Sequence, residues 1–201
     1  DNFPNATVLN SRLEDVSPRA LHRKIGDIDL LLASPECTNH TCAKGSAPRS
    51  EESRATAMQV LRYAREFKPR WIVMENVIHM RPWSRYEEMK EAIRRIGYQV
   101  REHVLDAADF GVPQSRRRLF VVCSRDAPIE VVGQPSLRSK RAVSDILDGP
   151  DEWDMTPLYR PGRAVPTLER AQRGFAELGQ NAAFLIVYYG TDGGGGWQRI
   201  D

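Results

Sequence analysis

Three groups of residues in this chain have the makings of a reactive centre. Cys37 closes the run Ser34-Pro35-Glu36-Cys37, Glu75 leads Glu75-Asn76-Val77, and Gln114 to Arg118 concentrates three guanidinium groups. A cysteine attacks as its thiolate, a form that cationic neighbours favour. A carboxyl beside it can serve as general acid or base, and arginines grip carbonyl or phosphate oxygens through forked hydrogen bonds. The set fits nucleophilic attack on an electrophilic carbon, a description that several reaction classes share. Taken singly, each group has a blander reading. Cys37 could be a small buried hydrophobe, Glu75 a carboxylate bonded to loop amides, and Arg116, Arg117 and Arg118 plain surface charge. Cys37, His40 and Cys42 could also supply zinc ligands, but a fourth ligand at comparable spacing is missing and no metal is expected.

The elements that must position these residues are legible from hydrophobic pattern. Residues 28–33, 71–74 and 119–123 are short, nearly uninterrupted apolar runs, as in strands covered on both faces. Cys123 lies inside the last run and reads as a core thiol. Between the first two runs, Ala57, Val60, Leu61, Ala64 and Phe67 fall on one helical face over residues 51–67, with Ser50 as N-cap and Pro69 beyond the end. A second amphipathic stretch covers residues 85–96, with Gly97 as its C-cap, and residues 99–105 resume as a strand. Strand–helix–strand–helix–strand predicts a doubly wound α/β fold whose first three strands run parallel. Only a loop joins the strand at 99–105 to that at 119–123, so this pair is expected to be an antiparallel hairpin. Ligands of open α/β sheets bind beyond the carboxyl ends of the parallel strands. Cys37 and Glu75 both fall there, and the hairpin returns Gln114 to Arg118 to the same rim. Beyond about Gly133 prolines punctuate short pieces, Gly193 to Gly196 is a flexible run, and residues 184–189 form one further candidate strand.

The bulk properties narrow the class. The 201 residues, 41% hydrophobic and 28% charged, suit a globular domain. No apolar run reaches the ~18 residues of a membrane span, and Asp1-Asn2-Phe3-Pro4 carries no signal-peptide pattern. Three cysteines without a regular framework point to a reducing compartment. A net charge of +2 leaves nucleic-acid binding to local basic patches such as residues 49–70 and 116–118.

Asp29-Leu-Leu-Leu-Ala-Ser-Pro-Glu-Cys37, Trp71-Ile-Val-Met-Glu-Asn-Val77 and Phe110-Gly-Val-Pro-Gln-Ser-Arg-Arg-Arg-Leu-Phe-Val-Val122 resemble, in order and spacing, the central motifs of the C5 cytosine-specific DNA methyltransferases. Ser53-Arg54 and Gly97-Tyr98 agree with them, and the resemblance covers roughly Val8 to Arg125. It implies a Rossmann-like, mostly parallel methyltransferase sheet with an antiparallel last strand. It also implies transfer of a methyl group from S-adenosylmethionine to C5 of a flipped-out cytosine in double-stranded DNA. Cys37 would attack C6 and Glu75 would hold or protonate ring N3. Arg118 would lie near the cytosine O2, with Arg116 as its partner near the active centre. Leu13, Asp15 and Pro35 are the candidate cofactor contacts. Asn76, Gln114 and Arg117 are candidate nucleic-acid contacts, Asn76 also shaping the turn that carries Glu75. The implied setting is a bacterial restriction–modification or orphan modification system in the cytoplasm.

The chain departs from the family pattern in three places. Glu36 and Thr38 flank the cysteine where the family has proline and glutamine, and a carboxylate close to the thiol would slow attack. The glycine-rich cofactor loop and the closing segment that completes the cofactor pocket are both absent. Residues 1–133 are therefore expected to be a partial catalytic domain, and residues 134–201 the start of an incomplete target-recognition region. A fragment or one piece of a split enzyme follows, with a companion polypeptide supplying the cofactor loop and weak or no cofactor binding by this chain alone. Two other readings remain open: a tRNA cytosine methyltransferase, and a non-catalytic partner subunit.

Overall fold

The computed structural model describes residues 3–37, 39–40, 50–133, 140–149, 152, 154–188 and 196–201. The chain divides into two compact units, Asp1–Leu105 with Arg117–Gly133, and Asp106–Arg116 with Gln134–Asp201.

The first unit opens with α1 (Pro18–Ile25). Ser17 caps it by accepting from the Ala20 amide at 3.3 Å, Pro18 occupies its first turn, and Gly26 ends it at φ 78°. β1 (Leu30–Ala33) follows. The single helix expected over residues 51–67 is instead α2 (Glu51–Ala55), a 3₁₀ turn (Thr56–Met58) and α3 (Gln59–Phe67). Lys68, at φ 47°, turns the chain out of α3 before Pro69 and into β2 (Trp71–Asn76). α4 (Tyr86–Arg95), β3 (Gln99–Asp106) and β4 (Arg117–Ser124) complete the unit's regular structure.

The sheet order is β1-β2-β4-β3. β1 pairs parallel with β2 and β2 antiparallel with β4. In the connection after β3, the Asp106 carboxylate accepts from the Arg116 amide and the Ser115 hydroxyl, both at 2.8 Å. The end of β3 thus adjoins the start of β4, as in the expected hairpin. The three forward strands run one way, yet β3 is not bonded to β2: β4 occupies the slot between them. A hairpin can fill the space beneath a crossover, and apolar runs alone do not reveal that order.

Side chains alternate across the sheet. Ile72, Met74, Leu119, Val121 and Cys123 pack with Val60, Leu61 and Ala64 of α3 and Met89 and Ile93 of α4. Burial pushes the Cys123 thiol up to about 12, consistent with an inert core cysteine. The opposite face is less covered, and this corrects the expectation that the first strand is buried on both sides. Leu30 and Leu32 are 48% and 69% exposed, and among the described residues β1 is an edge strand paired with β2.

In the second unit, residues 140–188 were expected to be irregular apart from a strand near 184. They contain α5 (Val165–Leu178), in which Pro166 lies in the first turn, where its missing amide hydrogen costs nothing. β5 (Phe184–Ile186) pairs antiparallel with β6 (Trp197–Arg199). Tyr189 and Gly193 to Gly195 lie outside the described residues. Among the described residues no helix is long and apolar enough to cross a membrane.

Candidate active site

The parallel register of β1 and β2 sets up the site. Ala33 pairs with Met74, so the next residue of each strand, Ser34 and Glu75, emerges side by side on the sheet's opposite face. Ser34 Oγ donates to Glu75 Oε2 at 2.7 Å. On the other side of β2, Glu75 pairs with Phe120 of β4, which brings Arg118 Nε to 3.1 Å from Glu75 Oε1. Both oxygens of the carboxylate are thus held by donors from flanking strands. The Glu75 and Arg118 side chains are 30% and 24% exposed, open to an incoming molecule but partly withdrawn from water.

Three residues beyond Ser34, Cys37 presents an exposed free thiol. Its loop is anchored at both ends. Asn76 is buried and its Nδ2 donates to the Pro35 carbonyl at 3.1 Å, while its Oδ1 accepts from the Val77 amide at 2.8 Å. The His40 amide donates to the Cys37 carbonyl at 2.8 Å. Arg54 Nε donates to the Asn39 carbonyl at 3.0 Å, and Glu51 links Arg54 at 3.6 Å to the Trp83 indole at 2.7 Å. The anchoring roles of Arg54, Glu51 and Trp83 escape sequence reasoning, although Arg54 already stood out as motif-like.

Beside this loop, a cavity of about 450 Å³ opens between α1, α3 and β1, lined by Leu13, Leu21, Ile25, Pro35, Val60 and Tyr63, among others. Its volume is in the range of small-molecule pockets, roughly 300–1,000 Å³. Tyr63 Oη donates to the Leu13 carbonyl at 3.1 Å and Arg62 Nη2 to the Val16 carbonyl at 3.2 Å, so α3 fixes the segment that forms one wall.

The predicted residues therefore separate. Glu75 and Arg118 meet as an ion pair, Cys37 lies in the loop that Asn76 ties to the end of β2, and Leu13 and Pro35 line the cavity. Asp15 is exposed and is not part of the lining. Asn76, expected among nucleic-acid contacts, has both ends of its amide engaged inside the protein at 2% exposure, so it acts as a loop brace. Arg117 is exposed at the start of β4. Gln114 and Arg116, both exposed, belong to the second unit, in which Asp106 fixes the Arg116 main chain. Burial pushes the Asp106 carboxyl up, but hydrogen bonds from Ser115, Ala108 and Arg116 outweigh it and hold the group below its usual range. Of the zinc alternative, Cys42 lies outside the described residues. Among the described residues no group of three or more potential metal-ligating side chains occurs.

The parallel β1–β2 pair, continued by antiparallel β4 and packed with helices, forms a Rossmann-like α/β fold. Solved structures share it: Entamoeba histolytica methyltransferase EhMeth aligns over 74% of this chain and 47% of its own with TM-score 0.55 at 21% identity. S. pombe Dnmt2 methyltransferase aligns over 73% and 45% with TM-score 0.55 at 19% identity. Among curated relatives, type II methyltransferase M.DdeI of Desulfomicrobium norvegicum is 28% identical over 86% of this chain and 41% of its own length. M.AquIA of a Picosynechococcus species is 31% identical over 62% and 56%. The profile of the C-5 cytosine-specific DNA methylases matches residues 2–161, and the chain belongs to that family. It spans about half the length of the relatives it matches.

Proposed function

We propose that this chain carries the nucleophile and the acid partner of a DNA cytosine C5 methyltransferase. The observation that carries the reading is the Ser34–Glu75–Arg118 arrangement beside the loop that presents Cys37. In this reading the Cys37 thiolate forms a bond to C6 of a cytosine extruded from duplex DNA, and electron density moves towards C5. Glu75 holds ring N3, where a proton makes C6 more electrophilic. Arg118 keeps the Glu75 carboxyl in plane and offers its remaining N–H groups to the base O2. Extruding the base costs roughly a few kcal/mol, which contacts from Arg117, Gln114 and the second unit would offset. Arg116, in the second unit, would be a further contact to the DNA.

The cavity beside Ser34 and Pro35 suits one end of S-adenosylmethionine, because its apolar walls match a flat heteroaromatic ring. Leu13 and Pro35 would hold that end. When bound, S-adenosylmethionine supplies an electrophilic methyl group for C5. Loss of the C5 proton and departure of the Cys37 thiolate then restore the enzyme. Residues 134–201 would begin the target-recognition region, and a companion polypeptide would complete the cofactor site. We place the protein in the bacterial cytoplasm as part of a modification system.

Transfer of labelled methyl groups to duplex DNA and to tRNA, each tested with and without candidate companion polypeptides, decides the substrate. Label in DNA is expected, and label in tRNA alone would refute the DNA reading.

A further inference from the structure

We propose that Ser34 is a positioning residue that also relays protons between solvent and Glu75. This deepens the methyl-transfer reading and takes its catalytic meaning from it. The two carboxyl oxygens of Glu75 keep different company. Oε1 faces Arg118 Nε at 3.1 Å, and Oε2 accepts from the Ser34 hydroxyl at 2.7 Å. A guanidinium has donors and no acceptor, so a proton directed from Oε1 at Arg118 would meet another proton. A hydroxyl donates or accepts according to how it rotates. Oε2 is therefore the oxygen that can carry a proton and still keep its neighbour. Ser34 donates while Glu75 is ionised. When Oε2 bears a proton, Ser34 either accepts it or, if that proton points at a bound base, donates to the remaining lone pair.

The contact is built into the sheet. Ala33 pairs with Met74 in parallel register, and the following residues, Ser34 and Glu75, leave their strands on the same face. Ser34 is exposed and bonded to a carboxyl whose side chain is 30% exposed, so its hydroxyl touches both Glu75 Oε2 and water. In the relay the Ser34 Oγ–H bond breaks as an Oε2–H bond forms, and Oγ takes a proton from a solvent hydronium or buffer acid. The reverse sequence discharges Glu75, and no charge is left on Ser34.

The test uses the full chain with carboxyl-¹³C glutamate, together with methyl transfer to duplex DNA. The Glu75 carboxyl resonance, assigned by its loss in Glu75→Gln, should move in Ser34→Ala and return towards its wild-type position in Ser34→Thr. In the transfer assay Ser34→Ala should lose about tenfold in kcat, the scale of one hydrogen bond to a charged group, with KM for DNA little changed. Ser34→Thr should recover most of the loss, and Ser34→Ala should cost nothing further in a Glu75→Gln background. An unmoved resonance in Ser34→Ala, or equal kcat losses in the Ala and Thr variants, overturns the proposal. So does full additivity with Glu75→Gln. If the wild-type chain transfers no methyl group with or without the companion polypeptides while the resonance responds as expected, the Ser34 contact stands and the methyl-transfer reading fails.

Discussion

Asn76 illustrates how the site is held at the scale of single residues. Its buried amide spans from the end of β2 to the Pro35 carbonyl, fixing the loop that presents Cys37 against the strand that presents Glu75. Replacing it with alanine leaves the Pro35 carbonyl and the Val77 amide without that partner. Asn76→Ala should therefore cost about 1–3 kcal/mol in stability, measured as a lower denaturant midpoint at unchanged m-value. A loss below ~0.5 kcal/mol would show that water replaces the amide. Sequence alone placed Cys37 in the loop after β1 and Glu75 close to the end of β2, although β2 runs on to Asn76, because an apolar run followed by a reactive residue is a local signal. It could not place Ser34, whose partner lies 41 residues away and is set by register. Asn76 was expected to shape the turn that carries Glu75, and it does, but its bond to the Pro35 carbonyl was not foreseen: whether an amide faces solvent or a carbonyl is a matter of packing that its neighbours in sequence do not report.

At the scale of elements, α1 is joined to α3 by one imidazole. His22 Nε2 lies 2.8 Å from Asp27 Oδ1, its Nδ1 lies 3.3 Å from Glu66 Oε1, and the ring packs on Phe67 at 4.7 Å. The hydrogen bond to Asp27, then that to Glu66, raise His22 above its ordinary 6.5 despite the opposing effect of burial. A raised folded-state value means that the stabilisation is fully present below pH 6.5. It is lost as pH rises through the higher, folded-state value. The melting-temperature difference between wild type and His22→Gln should accordingly be largest in mild acid and shrink towards pH 8. A pH-independent difference would assign His22 to packing alone. α1 itself was not foreseen, although Ser17-Pro18 is a recognisable helix start; its eight residues carry too few apolar positions to stand out. α5 was hidden by Pro166, read as a breaker when it is a first-turn residue. The strands were legible because apolar runs bounded by turn residues are strong signals. The insertion of β4 between β2 and β3 was not, since apolar runs carry no strand order.

At the scale of the whole molecule, two compact units divide the chain, and the first contains the thiol, the braced carboxylate and the apolar cavity. The antiparallel return of β4 matters most to this economy. It brings Arg118 back to the rim that β1 and β2 already share, so residues 34, 75 and 118 meet without any one segment containing them. Cys37 is the proposed nucleophile, and a covalent trap reads its identity. Duplex DNA containing 5-fluorocytosine is incubated with the protein, S-adenosylmethionine and any companion polypeptide that supports transfer, and the adduct is mapped by peptide mass spectrometry. An adduct on Cys37 is expected, one that disappears in Cys37→Ser and persists in Cys42→Ser. An adduct elsewhere, its survival in Cys37→Ser, or equal loss in both variants would contradict it.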